Sequence, residues 1–200
     1  GSATAVAAAK IIDLAKLFAA EALECGEDDL NFTDGLFLRQ DTNRSIAMED
    51  LVRQLAISGE KHRLNWTQPY ETDGATYPYG CHIIELEIDR QTCAVDIASY
   101  HVVDDFGTVI NPLTLEGQIH GGIAQGVGQA LLEHVVYDDS GQLLAGSLMD
   151  YALPRADLFP RFDVELTEDP THGTTLQVKG GGEGGCTPAT ATIINALCHA

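Results

Sequence analysis

The sequence predicts an α+β fold in which antiparallel and mixed hairpins pack with helices. Strand and helix patterns occur in clusters along the chain and do not alternate regularly, as a parallel doubly wound sheet would require. Two strong turn sequences, Asp34-Gly35 and Asp138-Asp-Ser-Gly141, each separate short stretches of strand-forming residues. These turns predict hairpins, and amphipathic stretches between them predict the helices.

Residues 1–60 predict a helix, a hairpin and a second helix. In residues 3–24 the apolar side chains recur on one helical face. The first hairpin is followed by residues 45–57, which predict a short helix. The polar segment 61–78 contains two prolines and a glycine, and it predicts a connection to the rest of the chain.

Residues 79–200 predict a second group of elements that opens with a hairpin. Apolar and acidic residues alternate from 84 to 89, and the partner strand runs from about 93 to 102. Asn111 is a favourable N-cap and Pro112 a favourable first residue for a helix that extends to about residue 134.

The last part of the chain predicts two strands, a glycine-rich loop and a helix. The strands are expected at residues 161–168 and 174–178. Thr187 and Pro188 repeat the signature of an N-cap followed by proline. They predict a final helix over residues 188–200.

Charge and composition exclude several classes of function. The chain has 11 basic and 30 acidic residues, a net charge of −19, so neither nucleic acid nor an anionic membrane surface is an expected partner. No apolar run reaches the length of a membrane span. Five cysteines without C-x2-C spacing support neither a disulfide framework nor a zinc site. A pairing of Cys81 with Cys93 across the hairpin stays open as the alternative, and the pattern favours reduced thiols in a cytoplasmic protein.

Glu183 is the single ionisable residue within the run Gly180-Gly-Gly-Glu-Gly-Gly185. Glycine lacks a Cβ atom and tolerates positive φ, so this run lets the backbone approach a ligand closely. The helix predicted after Thr187 directs its positive end toward Glu183 and toward any anion bound beside it. The pattern therefore predicts a catalytic base next to a phosphorylated cofactor.

Two other interpretations of the glycine run stay open. Glycine runs are commonly flexible linkers, although both flanks of this run follow strand and helix patterns. Gly180, Gly185 and Thr187 also match the glycines and the threonine of a phosphate-binding Walker A loop. Cys186 stands where that motif requires lysine, which disfavours nucleotide binding.

The helix that begins at Pro112 contains five glycines, each of which costs up to about 1 kcal/mol relative to alanine in a helix interior. Two neighbouring faces carry small residues and glutamines at helical spacing. They are Gly117, Gly121, Ala124 and Gly128 on one face, and Gln118, Gly122, Gln125 and Gln129 on the other. Because glutamine both donates and accepts hydrogen bonds, this pattern favours contact with a polar heterocycle, and close helix packing is the alternative.

Four sequence blocks, in a fixed order, carry a resemblance to a known family. They are Gly80-Cys-His-Ile-Ile-Glu-Leu-Glu-Ile-Asp89, Val103-Asp-Asp-Phe-Gly-Thr-Val-Ile-Asn-Pro112, Glu116-Gly-Gln-Ile-His-Gly-Gly-Ile-Ala-Gln-Gly126 and Lys179-Gly-Gly-Gly-Glu-Gly-Gly185. Together they resemble the C-terminal part of the molybdenum-binding large subunit of the xanthine oxidase family. That family includes xanthine dehydrogenases, aldehyde oxidoreductases, aerobic carbon monoxide dehydrogenases and bacterial N-heterocycle hydroxylases.

The resemblance implies roles for individual residues. Glu183 matches the family's glutamate that acts as general base beside molybdenum, and Gln125 matches a glutamine that hydrogen-bonds the pterin. Ser2 and Thr4 match a loop at the phosphate end of the cofactor, whose usual Gly-Ser-Arg-Ser is altered here to Gly-Ser-Ala-Thr. The residues predicted to bind cofactor are Gln125, Lys179, Gly180, Gly181, Gly182, Gly122, Ser2 and Thr4.

The resemblance also implies a molybdopterin-dependent hydroxylase or dehydrogenase of which this chain is a fragment, inactive by itself. The expected cofactor is a molybdenum–pterin, as molybdopterin or its cytosine dinucleotide form, and no protein side chain is expected to bind the metal. The expected partners are the missing N-terminal part of the same subunit, an iron–sulfur subunit with 2Fe–2S clusters and a flavin subunit with FAD. A dimer of this assembly and a small-molecule substrate (an aldehyde, an N-heterocycle or carbon monoxide) complete the expectation.

In this interpretation residues 1–60 are part of one molybdopterin-binding subdomain. Residues 61–78 connect it to residues 79–200, the C-terminal molybdopterin-binding portion, which carries the catalytic glutamate loop. The alternative is a non-catalytic scaffold or degenerate homologue that assembles with partner subunits. The presence of Glu183 and Gln125 disfavours degeneration.

Overall fold

A computed structural model describes all 200 residues, and the chain divides into two compact units, Gly1–Thr72 and Asp73–Ala200. Each unit contains two helices and one three-stranded sheet, so the predicted α+β class is confirmed. The helices are α1 (Ser2–Leu23), α2 (Met48–Ile57), α3 (Pro112–Leu131) and α4 (Cys186–His199). The strands are β1 (Leu30–Thr33), β2 (Leu36–Arg39), β3 (Ser45–Ala47), β4 (Tyr79–Ile88), β5 (Val95–Asp105) and β6 (Phe162–Thr167). None of the helices combines the length and the apolar character that crossing a membrane requires.

In the first unit, the predicted hairpin is confirmed and has a third strand. β1 and β2 pair antiparallel around a turn in which Asp34 and Gly35 both have positive φ, of 49° and 78°. Two successive residues with positive φ match the twist of a two-residue hairpin turn. The core of this unit lies between α1, α2 and the sheet, and its fully buried members include Ala15, Ala19 and Phe37.

Residues 45–57 are not one helix, as the sequence predicted. Ser45–Ala47 form β3, which pairs antiparallel with β2, and α2 begins only at Met48. The partly buried Ile46 packs against the core of the first unit. Pairing with the free edge of β2 therefore outweighs the local helical pattern, as tertiary contacts commonly do.

The second unit is a mixed sheet covered on one face by two helices. β4 and β5 form a long antiparallel hairpin, and β6 pairs parallel with the other edge of β5. The connection from β5 to β6 contains α3, and α4 follows the glycine run. Alternate residues of β5 point into the core, which comprises Tyr100, Val102, Phe106, Ile119, Ile123, Val127, Ala189 and Ile193.

Helices α3 and α4 pack closely through two glycines. A Cβ atom on Gly122 would lie 2.7 Å from the backbone nitrogen of Cys186, and one on Gly126 would lie 2.5 Å from the Cβ of Ala189. A Cβ atom on Gly121 would meet nothing within 4 Å. The small-residue ridge predicted along Gly117 and Gly121 is thus exposed, and the packing ridge lies one residue further round the helix.

The predicted strand at residues 174–178 is absent. Val178 forms one isolated bridge with Gly107, and Gln177 has a φ of 57°. A left-handed residue at that position interrupts an extended strand. The segment is therefore a loop tied to the end of β5 by backbone hydrogen bonds, including Thr108 N to Gln177 O at 3.0 Å.

The predicted hairpin at residues 138–141 is reduced to a tight turn. Asp138 caps this turn with its side chain, and Gly141 has a φ of 83°. The flanking residues form a single bridge, between Tyr137 and Leu143, rather than two strands.

Candidate functional site

A cavity of about 570 Å³ lies in the second unit where the glycine run meets the sheet. Tyr79 and Gly80 at the start of β4 form one side, and Asp104 near the end of β5 forms the adjacent wall. Gly180, Gly182 and Glu183 of the glycine run form the other side. The structure therefore brings together the predicted base and two of the glycines predicted beside it.

Some glycines of this run pack closely against the rest of the chain, and others face open space. None of them has positive φ, so the run does not use the left-handed conformation that glycine permits, and only the missing Cβ atoms matter here. A Cβ atom on Gly184 would lie 2.5 Å from the ring of Phe106, and one on Gly185 would lie 2.3 Å from the carbonyl oxygen of Ile119. Cβ atoms on Gly180 and Gly182 would meet nothing within 4 Å.

Gly181 and Gly122 were both predicted to contact a cofactor, but other residues of the chain fill the space beside each of them. A Cβ atom on Gly181 would lie 2.9 Å from Cδ1 of Leu115, and Gly122 lies against the start of α4. Their direct contact with a cofactor stays a prediction. In this structure they let α3 and the glycine run approach each other.

Glu183 presents an exposed carboxylate that has no hydrogen-bond donor within the chain. Every hydrogen bond to this residue is accepted by its backbone carbonyl, from the amides of Cys186 and Thr187 and from the Thr187 hydroxyl, at 3.0–3.1 Å. Since these bonds already form a helical turn, α4 begins at Cys186 with Gly185 as N-cap, and the predicted start at Thr187-Pro188 is wrong by two residues. The backbone of Glu183 is thus fixed and its side chain is free.

Lys179 holds the glycine run to the sheet. Its ammonium donates to Asp105 Oδ1 at 2.5 Å and lies 3.8 Å from Asp169 Oδ2 and 4.3 Å from the centre of the Tyr79 ring. The side chains of Lys179 and Asp105 are only 7% and 1% exposed. The predicted contact of Lys179 with the pterin stays a prediction, because in this structure its charge is directed into the protein.

The ion pair shifts both ionisable groups toward their charged forms. Burial opposes ionisation of Asp105, but hydrogen bonds, the strongest from Lys179 and the next from the Gly107 amide, keep its pKa below the ordinary value. Burial likewise lowers the pKa of Lys179, and the bond to Asp105 more than offsets that effect. The pair stabilises the fold at neutral pH. That contribution is lost as pH falls below about 4, where the unfolded carboxyl is protonated, and as pH rises above about 10.

The glutamine stripe of α3 runs along the glycine run and α4. Gln118 donates from Nε2 to the carbonyl of Gly182 at 3.4 Å, and Gln129 accepts from the hydroxyl of Thr190 at 3.2 Å. Gln125 lies between them, is exposed and makes no hydrogen bond within the chain. It does not line the cavity, but it is the glutamine of this stripe that remains available to a ligand.

Ser2 and Thr4 lie in the first turn of α1, in the other unit. Gly1 is the N-cap and supplies no side-chain cap, and the first turn carries no acidic residue. Ser2 is 9% exposed and Thr4 is exposed. The predicted phosphate contact of these two residues stays a prediction.

Sequence reasoning missed Asp104 and Phe106, which both line the cavity. Both belong to the block Val103-Asp-Asp-Phe-Gly107, and the adjacent acids and the aromatic residue before glycine were available signals. The strand register decides which acid faces which way, and no local pattern gives that register. No three His, Cys, Asp or Glu side chains are grouped in a way that could hold a metal ion.

Residues 1–160 match a protein family described as the molybdopterin cofactor-binding domain. The carbon monoxide dehydrogenase large chain of Hydrogenophaga pseudoflava is 33% identical over all of this chain and 26% of its own length. The nicotine 6-hydroxylase large subunit of Paenarthrobacter nicotinovorans is 33% identical over 90% of this chain and 23% of its own length.

The structure is similar to a crystal structure of a Cu,Mo-containing carbon monoxide dehydrogenase in its carbon monoxide reduced state. The TM-score is 0.80 and the identity 31%, over 98% of this chain and 25% of that one. The chain thus spans about a quarter of the length of the relatives that it matches.

Proposed function

Because this chain belongs to the molybdopterin cofactor-binding domain family, we propose that the protein of which it is part is a molybdenum-dependent hydroxylase or dehydrogenase with Glu183 as its general base. One observation carries the proposal. The Glu183 carboxylate stands at the cavity without any donor from the chain, and the preceding Gly180 and Gly182 have open space where a Cβ atom would be. A carboxylate with a fixed backbone and a free side chain is suited to accept a proton from a bound molecule.

The residues present fit a pterin-type cofactor. Gly180 and Gly182 form a wall without side chains, against which a flat ring can lie. Gln125 offers both a donor and an acceptor to a polar heterocycle. At the N-terminus of α1, Ser2 and Thr4 stand where a helix favours a phosphate. We assign these residues to cofactor binding.

When bound, the molybdenum–pterin cofactor supplies the two-electron redox chemistry that lets water provide the oxygen atom of the product. Glu183 takes up the proton that the attacking O–H group releases, at a carboxylate oxygen that no group of the chain occupies. The three hydrogen bonds to its backbone carbonyl keep that carboxylate at the cavity. Lys179, bound to Asp105, holds the glycine run in the position from which Glu183 reaches the cavity.

The substrate is proposed to be small: an aldehyde, an N-heterocycle or carbon monoxide. Carbon monoxide and the N-heterocycle follow from the names of two relatives, a carbon monoxide dehydrogenase and a nicotine 6-hydroxylase, and the aldehyde follows from the family resemblance of the four sequence blocks. Electrons are proposed to leave through 2Fe–2S clusters and FAD on partner domains or subunits. The names "large chain" and "large subunit" of the relatives support such an assembly.

The test is Glu183→Gln in the full-length protein, assembled in a host that makes the cofactor. Molybdenum content per polypeptide is measured together with turnover of an aldehyde and N-heterocycle panel and of carbon monoxide. We expect normal molybdenum content and a turnover about 10²- to 10⁴-fold lower, because the variant keeps the shape of the side chain but cannot accept the proton.

Glu165→Gln is the matched control, since Glu165 is an exposed glutamate on β6 outside the cavity. It is expected to leave both readouts unchanged. Full turnover by the Glu183→Gln protein would disprove the role of this residue. Correctly assembled wild-type protein without molybdenum would reject the hydroxylase and favour a non-catalytic scaffold.

A further inference from the structure

Asp104 and Asp105 are adjacent and both buried, but only one of them has enough hydrogen-bond donors. The Asp105 carboxylate accepts from the Lys179 ammonium, the Thr167 hydroxyl and the amides of Gly107 and Asp169. Asp104 is 4% exposed, and its carboxylate accepts only from Nε2 of His82, at 3.3 and 3.4 Å to its two oxygens. A buried carboxylate with one long, shared donor lacks the partners that such groups ordinarily have.

A buried tyrosine fixes the direction of that single hydrogen bond. Nδ1 of His82 lies 2.9 Å from the hydroxyl of Tyr100, and the His82 side chain is 0% exposed. Burial, and next the charge of Asp104, raise the pKa of Tyr100, so its hydroxyl stays protonated and needs an acceptor. His82 Nδ1 is the acceptor present. With Nδ1 accepting from Tyr100, the His82 ring carries a proton on Nε2 and donates it to Asp104.

A glycine in β4 makes room for the Asp104 carboxylate. A Cβ atom on Gly80 would lie 1.9 Å from Asp104 Oδ1 and 2.5 Å from the carbonyl oxygen of Val103. Glycine within a strand weakens it, and it commonly marks a place where another group approaches closely. Gly80 and Asp104 both line the cavity that contains Glu183.

We propose that Asp104 is a second carboxylate of this cavity, which binds an N–H donor of the molecule that occupies it and is positioned by the Tyr100–His82 pair. The two carboxylate oxygens offer about four acceptor positions, and His82 supplies one proton for them. The chain provides several hydrogen-bond donors to Asp105 but only His82 to Asp104. The ligand supplies the further donors to Asp104. Asp104 is thus a binding residue, while His82 and Tyr100 act through it.

The chemical class that fits is a group with N–H donors on one edge, such as an aminopyrimidine, an amide or an N–H heterocycle. This inference rests on the proposed function, under which two molecules can bring such an edge to the cavity. They are the pterin ring of the cofactor and the substrate. Both would use the same hydrogen bonds to Asp104.

The test uses Asp104→Asn in the full-length assembled protein, because asparagine has the same size and replaces one acceptor oxygen by an N–H donor. Asp163→Asn is the matched control: Asp163 also pairs with a histidine, His101 at 3.2 Å, but its side chain is 66% exposed. Molybdenum and pterin content per polypeptide is measured after dialysis. KM and kcat are then measured for aldehydes and N-heterocycles with and without N–H groups.

Two results support the proposal and identify the source of the N–H group. If Asp104 binds the pterin, the Asp104→Asn protein retains about 10- to 100-fold less molybdenum and pterin than the control. If it binds the substrate, cofactor content is normal and KM rises by a similar factor, for N–H-bearing substrates only, with little change in kcat.

Other results overturn the proposal. Cofactor content and KM that match the Asp163→Asn control would show that Asp104 binds nothing, while wild-type turnover would leave the proposed function standing. Wild-type protein without molybdenum would reject both.

Tyr100→Phe provides a second variant in case Asp104→Asn fails to assemble. It keeps the buried ring but removes the hydroxyl, so Nδ1 of His82 loses its donor and the ring is free to carry its proton on either nitrogen. We expect the same readout as for Asp104→Asn, cofactor content or KM, to change in the same direction by a smaller factor of about 3- to 10-fold. An unchanged readout in a folded Tyr100→Phe protein would reject the positioning role.

Discussion

Lys179 joins the glycine run to the end of the sheet. Its side chain is almost fully buried, and its ammonium contacts Asp105 at the end of β5, Asp169 after β6 and the ring of Tyr79. One charge thereby joins the loop that carries Glu183 to two strands and to the cavity wall. Removing it leaves the buried Asp105 carboxylate without its charged partner.

We therefore expect Lys179→Met to destabilise the protein by roughly 3–5 kcal/mol, the usual effect of breaking one side of a buried ion pair. Chemical denaturation of the full-length protein measures the change. Lys61→Met is the control, because Lys61 is exposed and its substitution is expected to change stability by less than about 0.5 kcal/mol. Equal stability of the two variants would mean that the Lys179–Asp105 pair is not formed.

Single residues were predictable from the sequence where their chemistry is local. Glu183 was singled out because one acid stands among five glycines; the structure has it at a cavity, and its role as a base stays a prediction. The ion pair of Lys179 and the contrast between Asp104 and Asp105 were not predictable. They depend on strand register, which the pairing of β5 with β4 and β6 sets over a long sequence separation.

At the level of elements, α3 is the support of the site. Gln118 donates a hydrogen bond to the glycine run. Gly122 and Gly126 allow α4 to pack closely against α3, and the first turn of α4 then lies next to Glu183. Glycine has a low helix propensity, but at Gly122 and Gly126 any side chain would collide with α4. Gly121, its neighbour, has open space around it and no such constraint.

Alanine substitutions at these neighbouring glycines are expected to have opposite effects. Gly121→Ala gains helix propensity without a clash and is expected to raise stability by up to about 1 kcal/mol. Gly122→Ala would place its Cβ 2.7 Å from the Cys186 nitrogen, so the clash outweighs the gain and stability falls by about 1–3 kcal/mol. Denaturant unfolding measures the free energy of unfolding of both variants. A Gly122→Ala protein more stable than the wild type would contradict the observed packing.

The extent of the elements was predictable where periodicity and turn chemistry agree. The β1–β2 hairpin, the β4–β5 hairpin and the start of α3 at Pro112 follow from such signals. β3 and the start of α4 do not. β3 exists because β2 has a free edge, and α4 starts early because the Glu183 carbonyl accepts two amides before Pro188.

At the level of the whole molecule, the chain is two compact units that together match about a quarter of much longer relatives. The order of four sequence blocks was sufficient to identify the family. Three of these blocks contribute residues to the cavity, and the fourth, Glu116–Gly126, lies on α3, which packs against the glycine run. The substrate and the redox partners were not predictable, since no residue described here is specific for one of them.

We propose that the molybdenum–pterin cofactor binds with its metal beside Glu183. Crystals of the full-length protein, measured on both sides of the molybdenum absorption edge, test it most directly. We predict one anomalous difference peak for molybdenum, in the cavity between the Glu183 carboxylate and the Gly180–Gly182 wall. A molybdenum peak outside this cavity, in protein that turns over its substrate, would show that Glu183 does not lie beside the metal.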